Sequence, residues 1–338
     1  MRVSREPGVW FPAIRTGTGT DVFTQRLADS LRRRGIRAEI TWLPLRAEYM
    51  PWSARVPVPP EWATVAHVAT WLHSRFLPRN LPVVATIHHS IHEPALHSCK
   101  DPARAAYHRW WIAPNERRVL RRANRVVAVS RFVADASRRA LLDVPMEVIY
   151  NGVDTGRFKP GDRRHPPGEP FRLLYVGAWR KLKGVHLLAP IMRELGAGFE
   201  LRYTGGGAAE GDKPGMPANM HDLGRIDEHG VIAAMQDSDA FLFPSHSEGF
   251  GLVAAEAMAC GLPVIATRGS SLVEVIENGV TGVLCPQDDV VAFAAGARSL
   301  RDSTGLAESM RRAALAAARS RFSIEQMVSR YLAAYTGN

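Results

Sequence analysis

Two glutamates eight residues apart, Glu248 and Glu256, stand in the stretch FLFPSHSEGFGLVAAEAMACGLPVIAT over residues 241–267. An ionised carboxylate accepts two directed hydrogen bonds, so each acid suits the hydroxyls of a sugar diol. Glu248 falls in a small polar loop. Glu256 lies in an otherwise apolar stretch and shares a helical face with Leu252, Ala255 and Ala259. A carboxylate there borders buried surface and needs a partner. Gly249 and Gly251 leave backbone N–H groups open where a helix begins, a site for an anion. Any Glu pair at this spacing could equally be a loop acid and a helix acid held by arginine or backbone. The flanking Pro-Ser, Glu-Gly-Phe-Gly, Glu-Ala-Met-Ala-Cys-Gly and Pro-Val-Ile-Ala-Thr make chance a poor account.

The elements around the pair read as strand, loop, helix and strand. The apolar run Ala240 to Phe243 stops at Pro244, as a buried strand should. Leu252 to Ala259 forms a helix stopped by Gly261 and Pro263, and Pro263 to Ala266 is a second buried strand. The loop thus lies at the carboxyl end of a strand of a parallel sheet, where such sheets bind ligands.

In this setting the chain resembles the retaining nucleotide-sugar glycosyltransferases of family 4, whose hallmark is E-x7-E. The resemblance is strong from about Phe171 to the C-terminus and patchier before it. It implies an α/β protein of glycosyltransferase-B fold, two Rossmann-like domains facing across a cleft. It also implies that Glu248 addresses the transferred sugar and Glu256 the nucleotide ribose, with Gly249, Phe250, Gly251 and Leu252 around the sugar and diphosphate. A basic pair is expected to grip the diphosphate. Lys183, before Gly184, matches the family's lysine, while Ala178 stands where the family has arginine and Arg180 or Lys181 follows two or three residues on. The family's Thr-x-His maps to Thr86-Ile87-His88, which would aim His88 at the diphosphate or reacting sugar. Retaining members react on the donor's front face, with the leaving phosphate taking the acceptor's proton. No metal is expected in catalysis and no cofactor, the nucleoside-diphosphate sugar being a co-substrate.

Elsewhere the reading is architectural. Val9 to Phe11 is a short strand before Pro12, and Thr16 to Asp21 opens a helix over Val22 to Arg34, with Thr20 or Asp21 as cap. This is no dinucleotide fingerprint, because the third glycine would fall at Val22, and it lacks the Gly-Lys-Ser of a P-loop. By resemblance Gly17 and Gly19 face the donor phosphates; a plain tight turn fits them nearly as well. Leu81 to Ile87 and Arg125 to Ser130 are buried strands. His88, His89, His92, His97 and Cys99 crowd together, but at no standard zinc spacing. Asn151-Gly152 is expected to turn with positive φ. Residues 161–170, GDRRHPPGEP, read as the interdomain linker. Pro190 should delay or kink the helix that follows Gly184. Gly205 in the Gly205-Gly206-Gly207 loop would lie beside the nucleotide, and Gly224, Arg225 and Ile226 would read the base edge. An amphipathic helix from Phe322 to Tyr335 is expected to cross back to the first domain. The expected domains are therefore 1–165 with 322–338, on the acceptor side, and 170–320, binding the nucleotide sugar.

The 338 residues, 46% hydrophobic and 22% charged, suit two globular domains. No apolar run reaches the roughly 18 residues that span a bilayer, and the N-terminus shows no signal-peptide core. Three cysteines form neither a disulfide framework nor a metal-ligand pattern, so a cytoplasmic setting is expected. The excess of 43 Lys and Arg over 33 Asp and Glu, +10 in all, sits largely on helices such as Arg32 to Arg34, where solvated faces are the first explanation. No nucleic-acid motif accompanies it, so a nucleic-acid partner is not expected, while a peripheral membrane contact stays open. The expected reaction transfers a sugar to a hydroxyl of a natural-product, lipid or polysaccharide acceptor. A non-catalytic nucleotide-sugar binder and a sugar-nucleotide epimerase of the same fold are the alternatives.

Overall fold

A computed structural model describes residues 6–93, 102–161, 170–206 and 215–337. His97, Cys99, Gly207 and nearly all of the expected linker lie outside these ranges. The chain divides into two compact units, Met1–Gly152 with Ile324–Asn338, and Val153–Ser323. It passes from one unit to the other at residues 152–153 and again at 323–324. Residues 153–161, read from the sequence as part of the first domain, group with the second unit.

The first unit is built on six parallel strands: β1 (Val9–Ile14), β2 (Ala38–Leu43), β3 (Val65–Ala69), β4 (Val83–Ile87), β5 (Arg125–Ala128) and β6 (Glu147–Val148). Their order is β2-β1-β3-β4-β5-β6, which reverses direction between β1 and β3. Central strands are buried on both faces, which is why they read as unbroken apolar runs: all five residues of β4 are buried. β1 runs on through Pro12 to Ile14, past the end expected for it. Its pairing with β3 is confined to Val9 and Trp10, so beyond them only β2 is paired and the missing N–H is tolerated.

The helix after β1 spans Gly19–Arg33, starting three residues earlier than expected. Neither Thr20 nor Asp21 caps it: Thr18 takes the cap position without a side-chain bond. Asp21 instead reaches back to accept from the Thr16 and Gly17 amides at 2.8 and 2.7 Å. The C-terminal helix, Ile324–Thr336, belongs to this unit; it buries Tyr331 and half-buries Tyr335, whose hydroxyls reach β3 and β4. His67 bridges to Tyr335 Oη at 2.5 Å and to Thr86 Oγ1 at 2.8 Å, and Tyr331 Oη lies 3.1 Å from the same threonine hydroxyl. Gly152 does not turn with positive φ. A side chain there would meet Ile324 Cα at 2.6 Å, so close approach to this helix is what requires glycine.

The second unit carries β7 (Phe171–Tyr175), β8 (Phe199–Tyr203), β9 (Met220–Asp222), β10 (Ala240–Phe243), β11 (Val264–Thr267) and β12 (Gly282–Cys285), all parallel. Their order, β12-β11-β10-β7-β8-β9, is that of a Rossmann-like sheet, with the reversal between β7 and β10. A helix from Val185 to Leu195 packs on it and runs through Pro190, so it starts at once after Gly184. Arg172, buried on β7, is held by Glu200 at 2.6 Å and Asp237 at 2.7 Å, and Arg202 joins both acids. No helix among the described residues is long and apolar enough to cross a membrane.

Several of the excess arginines close element ends instead of facing solvent alone. Arg122 donates to the Pro78 and Leu81 carbonyls, Arg117 to Leu141 and Arg34 to Glu325. Of these carbonyls, that of Leu141 ends the helix Arg131–Ala140, where a cation satisfies an orphan acceptor and favours the dipole.

Candidate active site

In the second unit the sheet reverses between β7 and β10, and the loops leaving these two strands carry the acid and the cation singled out above. After β7, residues Lys181–Lys183 form a single 3-10 turn closed by Gly184 in the left-handed region, φ +73°. After β10, Pro244 to Gly251 lead into the helix Leu252–Ala259. The two loops are fastened together: the His246 amide donates to the Leu182 carbonyl at 3.0 Å, and Gly184 lies flat on Pro244.

Lys183 Nζ meets Glu248 Oε1 at 2.7 Å. Ser245 Oγ donates to the same oxygen at 2.7 Å. Among the described residues nothing donates to Glu248 Oε2, so one carboxylate oxygen is left for a ligand hydroxyl. The Glu248 backbone is pinned at both ends, its amide donating to Ser270 Oγ at 3.1 Å and its carbonyl accepting from Ser271 Oγ at 2.9 Å. Ser270 adopts φ +49°, rare for a residue with a side chain, to make that contact. Tyr175, under the same loop, donates its hydroxyl to the Ala178 carbonyl at 3.3 Å. Burial first, and then the Glu248 charge, push its ionisation above the usual tyrosine range, so it serves only as a neutral donor.

Glu256 sits inside the following helix and is 5% exposed, more deeply buried than its expected place at the border. Burial, with the Glu256 charge second, raises the Cys260 thiol to about 12, so this cysteine is an inert neighbour. The helix has no side-chain N-cap, and Gly251 enters it at φ +87°. Phe250 is buried, its ring 5.5 Å from Phe322, and Gly249 is buried beside it. Leu252 is half-buried.

The remaining predicted residues fall in two groups. Gly205 and Gly224 are drawn together by a carboxylate the sequence reading passed over: Asp222 accepts from their amides at 3.0 and 2.7 Å. Gly224 takes φ +67°, and Ile226 is half-buried behind it. Arg180 and Arg225 are exposed, and among the described residues neither has a side-chain partner. Ser245, Tyr175 and Asp222 were also missed. Ser245, three residues before Glu248 at a strand end, was the one with a local signal.

In the first unit, the carboxyl ends of β1, β3 and β4 border a pocket of about 390 Å³, counting the space open to solvent. Thr20, Asp21, His67, Trp71 and His88 line it. Gly17 lies in the loop that Asp21 folds back, at φ +72°, and both Gly17 and Gly19 have open space where a side chain would be. His88 stands edge-on to Phe23, ring centres 4.5 Å apart. Burial lowers His88 to about 4, and burial together with the neighbouring His88 lowers His67 to about 3. Of the other expected histidines, His92 is bound to Glu116 at 2.7 Å.

These two values set a pH dependence. An unfolded chain protonates histidine near 6.5, whereas folded His67 and His88 stay neutral well below that. Unfolding therefore takes up protons between pH 6.5 and about 4, and stability falls as pH drops through that window. The slope should reach up to about 1.4 kcal/mol per pH unit for each histidine. Urea unfolding followed from pH 7 to 5 should show it, and His67→Gln should remove a clear part of it. A profile unaltered by that change would count against the burial of His67 as its source.

The chain matches the family described as "Glycosyl transferases group 1" over residues 161–317, and "Glycosyltransferase Family 4" over residues 17–157. Among curated proteins it is 36% identical over 176 residues to the glycogen synthase of Mycobacterium tuberculosis, covering 49% of this chain and 42% of that protein. It is 29% identical over 307 residues to D-inositol 3-phosphate glycosyltransferase 1 of Catenulispora acidiphila, covering 80% and 71%. The chain thus spans less than half the length of the first of these relatives. Among solved structures, sucrose-phosphate synthase from Thermosynechococcus elongatus superposes with a TM-score of 0.79 at 19% identity, over 98% of this chain and 99% of that one. Anabaena HepE in complex with UDP-glucose superposes with a TM-score of 0.74 at 17% identity, over 98% and 100%. With one family match on each half and a shared architecture throughout, this chain belongs to glycosyltransferase family 4 and has the glycosyltransferase-B fold.

Proposed function

We propose that the protein is a retaining glycosyltransferase that moves a sugar from a nucleoside diphosphate to an acceptor hydroxyl. The observation that carries this reading is the Lys183–Glu248 pair at 2.7 Å, placed where the sheet order reverses. A diphosphate-linked sugar offers each member a new partner: phosphate oxygens for the ammonium, hydroxyls for the carboxylate. Glu248 orients the transferred sugar. Lys183, with exposed Arg180 standing in for the cation absent at Ala178, opposes the charge that builds on the departing diphosphate. The backbone amides of Gly249, Phe250, Gly251 and Leu252, at the start of the helix Leu252–Ala259, add their dipoles. Glu256 holds the ribose hydroxyls, and Gly205, Gly224, Arg225 and Ile226 border the base.

The bond from the sugar's anomeric carbon to the phosphate oxygen breaks as the acceptor oxygen bonds the same face. The acceptor's proton passes to the leaving phosphate, so no protein base and no metal is assigned a step. His88, kept neutral, offers a ring nitrogen to a substrate oxygen, and Gly17 and Gly19 lie along the same loop edge. That solved HepE complexes contain UDP and UDP-glucose supports a uridine donor as the first to try. A thermal-shift panel of UDP, GDP, ADP and TDP should show one nucleotide stabilising the protein by about 2.7 kcal/mol at a hundred times its Kd, a shift that Glu256→Ala reduces. Release of free sugar from the matching donor separates an enzyme from a binder. No shift with any of the four would remove the reading.

A lipid acceptor, or attachment to a lipid surface, has its own support. Trp52 and Trp110 are 64% and 72% exposed, and the Arg109 guanidinium lies 5.2 Å from the centre of the Trp110 ring. Trp111 donates to the Glu48 carbonyl at 3.0 Å and so holds the two aromatic segments together. Indole rings beside arginines suit an anionic membrane interface. Sedimentation with phosphatidylglycerol vesicles should show binding, weakened at least about tenfold by Trp52→Ser with Trp110→Ser. Equal binding by both proteins would end this second reading.

A further inference from the structure

His186, His246 and Asp288 converge beside the Lys183–Glu248 pair, each offering one ligand atom, with all three atoms within 4.8 Å of one another. They come from three separate loops at the carboxyl edge of the second sheet: the first turn of the helix Val185–Leu195, the loop after β10 and the turn after β12. His246 Nε2 lies 2.7 Å and His186 Nε2 3.4 Å from Asp288 Oδ1, with the two rings 5.3 Å apart and nearly perpendicular. None of the three was singled out in the sequence, where they stand 60 and 42 residues apart.

We propose that these side chains form a binding site for a borderline-soft divalent cation of the zinc type, separate from the donor chemistry. Zinc bonds imidazole nitrogen and carboxylate oxygen at about 2.0–2.2 Å, which for a tetrahedral site puts ligand atoms about 3.3–3.6 Å apart. The 3.4 Å separation lies in that range and the 2.7 Å one is shorter, so a cation has to part His246 from Asp288 as it binds. Two imidazoles and a carboxylate favour zinc, cobalt or nickel over magnesium or calcium, which prefer all-oxygen sites. Gln287 donates to Asp288 Oδ2 at 3.3 Å, leaving Oδ1 to the histidines, and Asp288 itself takes φ +60°, rare for a residue with a side chain. The Asp288 carboxylate attracts a cation here and the nearby Lys181 charge opposes one. His186 and Asp288 are 37% and 48% exposed at the side chain, giving a cation an entry route.

The position has a consequence. His186 follows Lys183 by three residues and His246 precedes Glu248 by two, so one cation ties together the two loops that carry the ion pair. Its binding should stiffen both.

Zinc added to the protein should bind one equivalent by calorimetry, with no donor or acceptor present. Asp288→Asn, which keeps the side chain's size, and His186→Ala should each weaken that equivalent at least tenfold, and cobalt should show a visible ligand-field band lost in both. In hydrogen exchange, zinc should slow the amides of residues 181–188 and 245–250 in the natural protein alone. Zinc binding that is equal in all three proteins, or exchange that zinc leaves unchanged at these two loops, overturns the proposal. Because no nucleotide is used, that failure is distinct from failure of the transferase reading.

Discussion

Lys183→Ala should lower turnover of the sugar donor by about 10²- to 10³-fold while leaving the fold intact. The ammonium reaches Glu248 Oε1 at 2.7 Å and is still 29% exposed at the side chain, so it is placed to serve a ligand without being part of the core. Its removal has two effects. In the proposed reaction the departing diphosphate would lose a fixed positive charge. Glu248, 9% exposed, keeps only Ser245 as a side-chain donor to its carboxylate and is less well oriented. Glu248→Gln tests the other member of the pair. The amide keeps the volume but cannot hold the ammonium as an ion pair, and a loss of about the same size is expected. The measurement is steady-state donor hydrolysis and transfer, with kcat and KM separated and a thermal melt to confirm folding. Wild-type turnover in both variants would dismiss this pair as the donor site.

Gly184→Ala should destabilise the second unit by about 2–5 kcal/mol. Two costs add. A residue with a Cβ pays roughly 1–2 kcal/mol in the left-handed region, where Gly184 sits at φ +73°. The new Cβ would also fall 2.0 Å from the Pro244 carbonyl oxygen, a backbone atom that cannot swing away. Relief requires the Lys183 turn to lift from the end of β10, so nucleotide binding should fall together with stability. Gly279, in the same unit, supplies the control: its φ is +79° and nothing lies within 4 Å of a Cβ there. Gly279→Ala should therefore carry the backbone cost alone, without the clash, and leave binding unchanged. Equal losses for the two alanines in urea unfolding would mean the loop absorbs the clash.

The amino-acid sequence alone determined the strands and the landmarks they carry. Parallel strands covered on both faces must be largely apolar, so β4, β10 and β11 stand out as runs such as AFLF and VIAT, each read to within two residues. The helix Leu252–Ala259 was legible to the residue, because glycine and proline stop it by local sterics. The acid pair drew notice through its flanking segments, and Lys183 only through its likeness to the family's lysine.

Tertiary structure decided everything that depends on which loop ends meet. Nothing near Asp222 in the chain says that it will collect the amides of Gly205 and Gly224, and nothing near Gly152 says that a helix beginning at Ile324 will press on it. Ser245 and Lys183 share one carboxylate oxygen only because the sheet order places β7 beside β10. His186, His246 and Asp288 lie on three loops that become neighbours for the same reason. Local sterics and periodicity act over a few residues, whereas strand order sets contacts across sixty or a hundred. The single chain therefore announces its elements, and only their packing settles which side chains share a site.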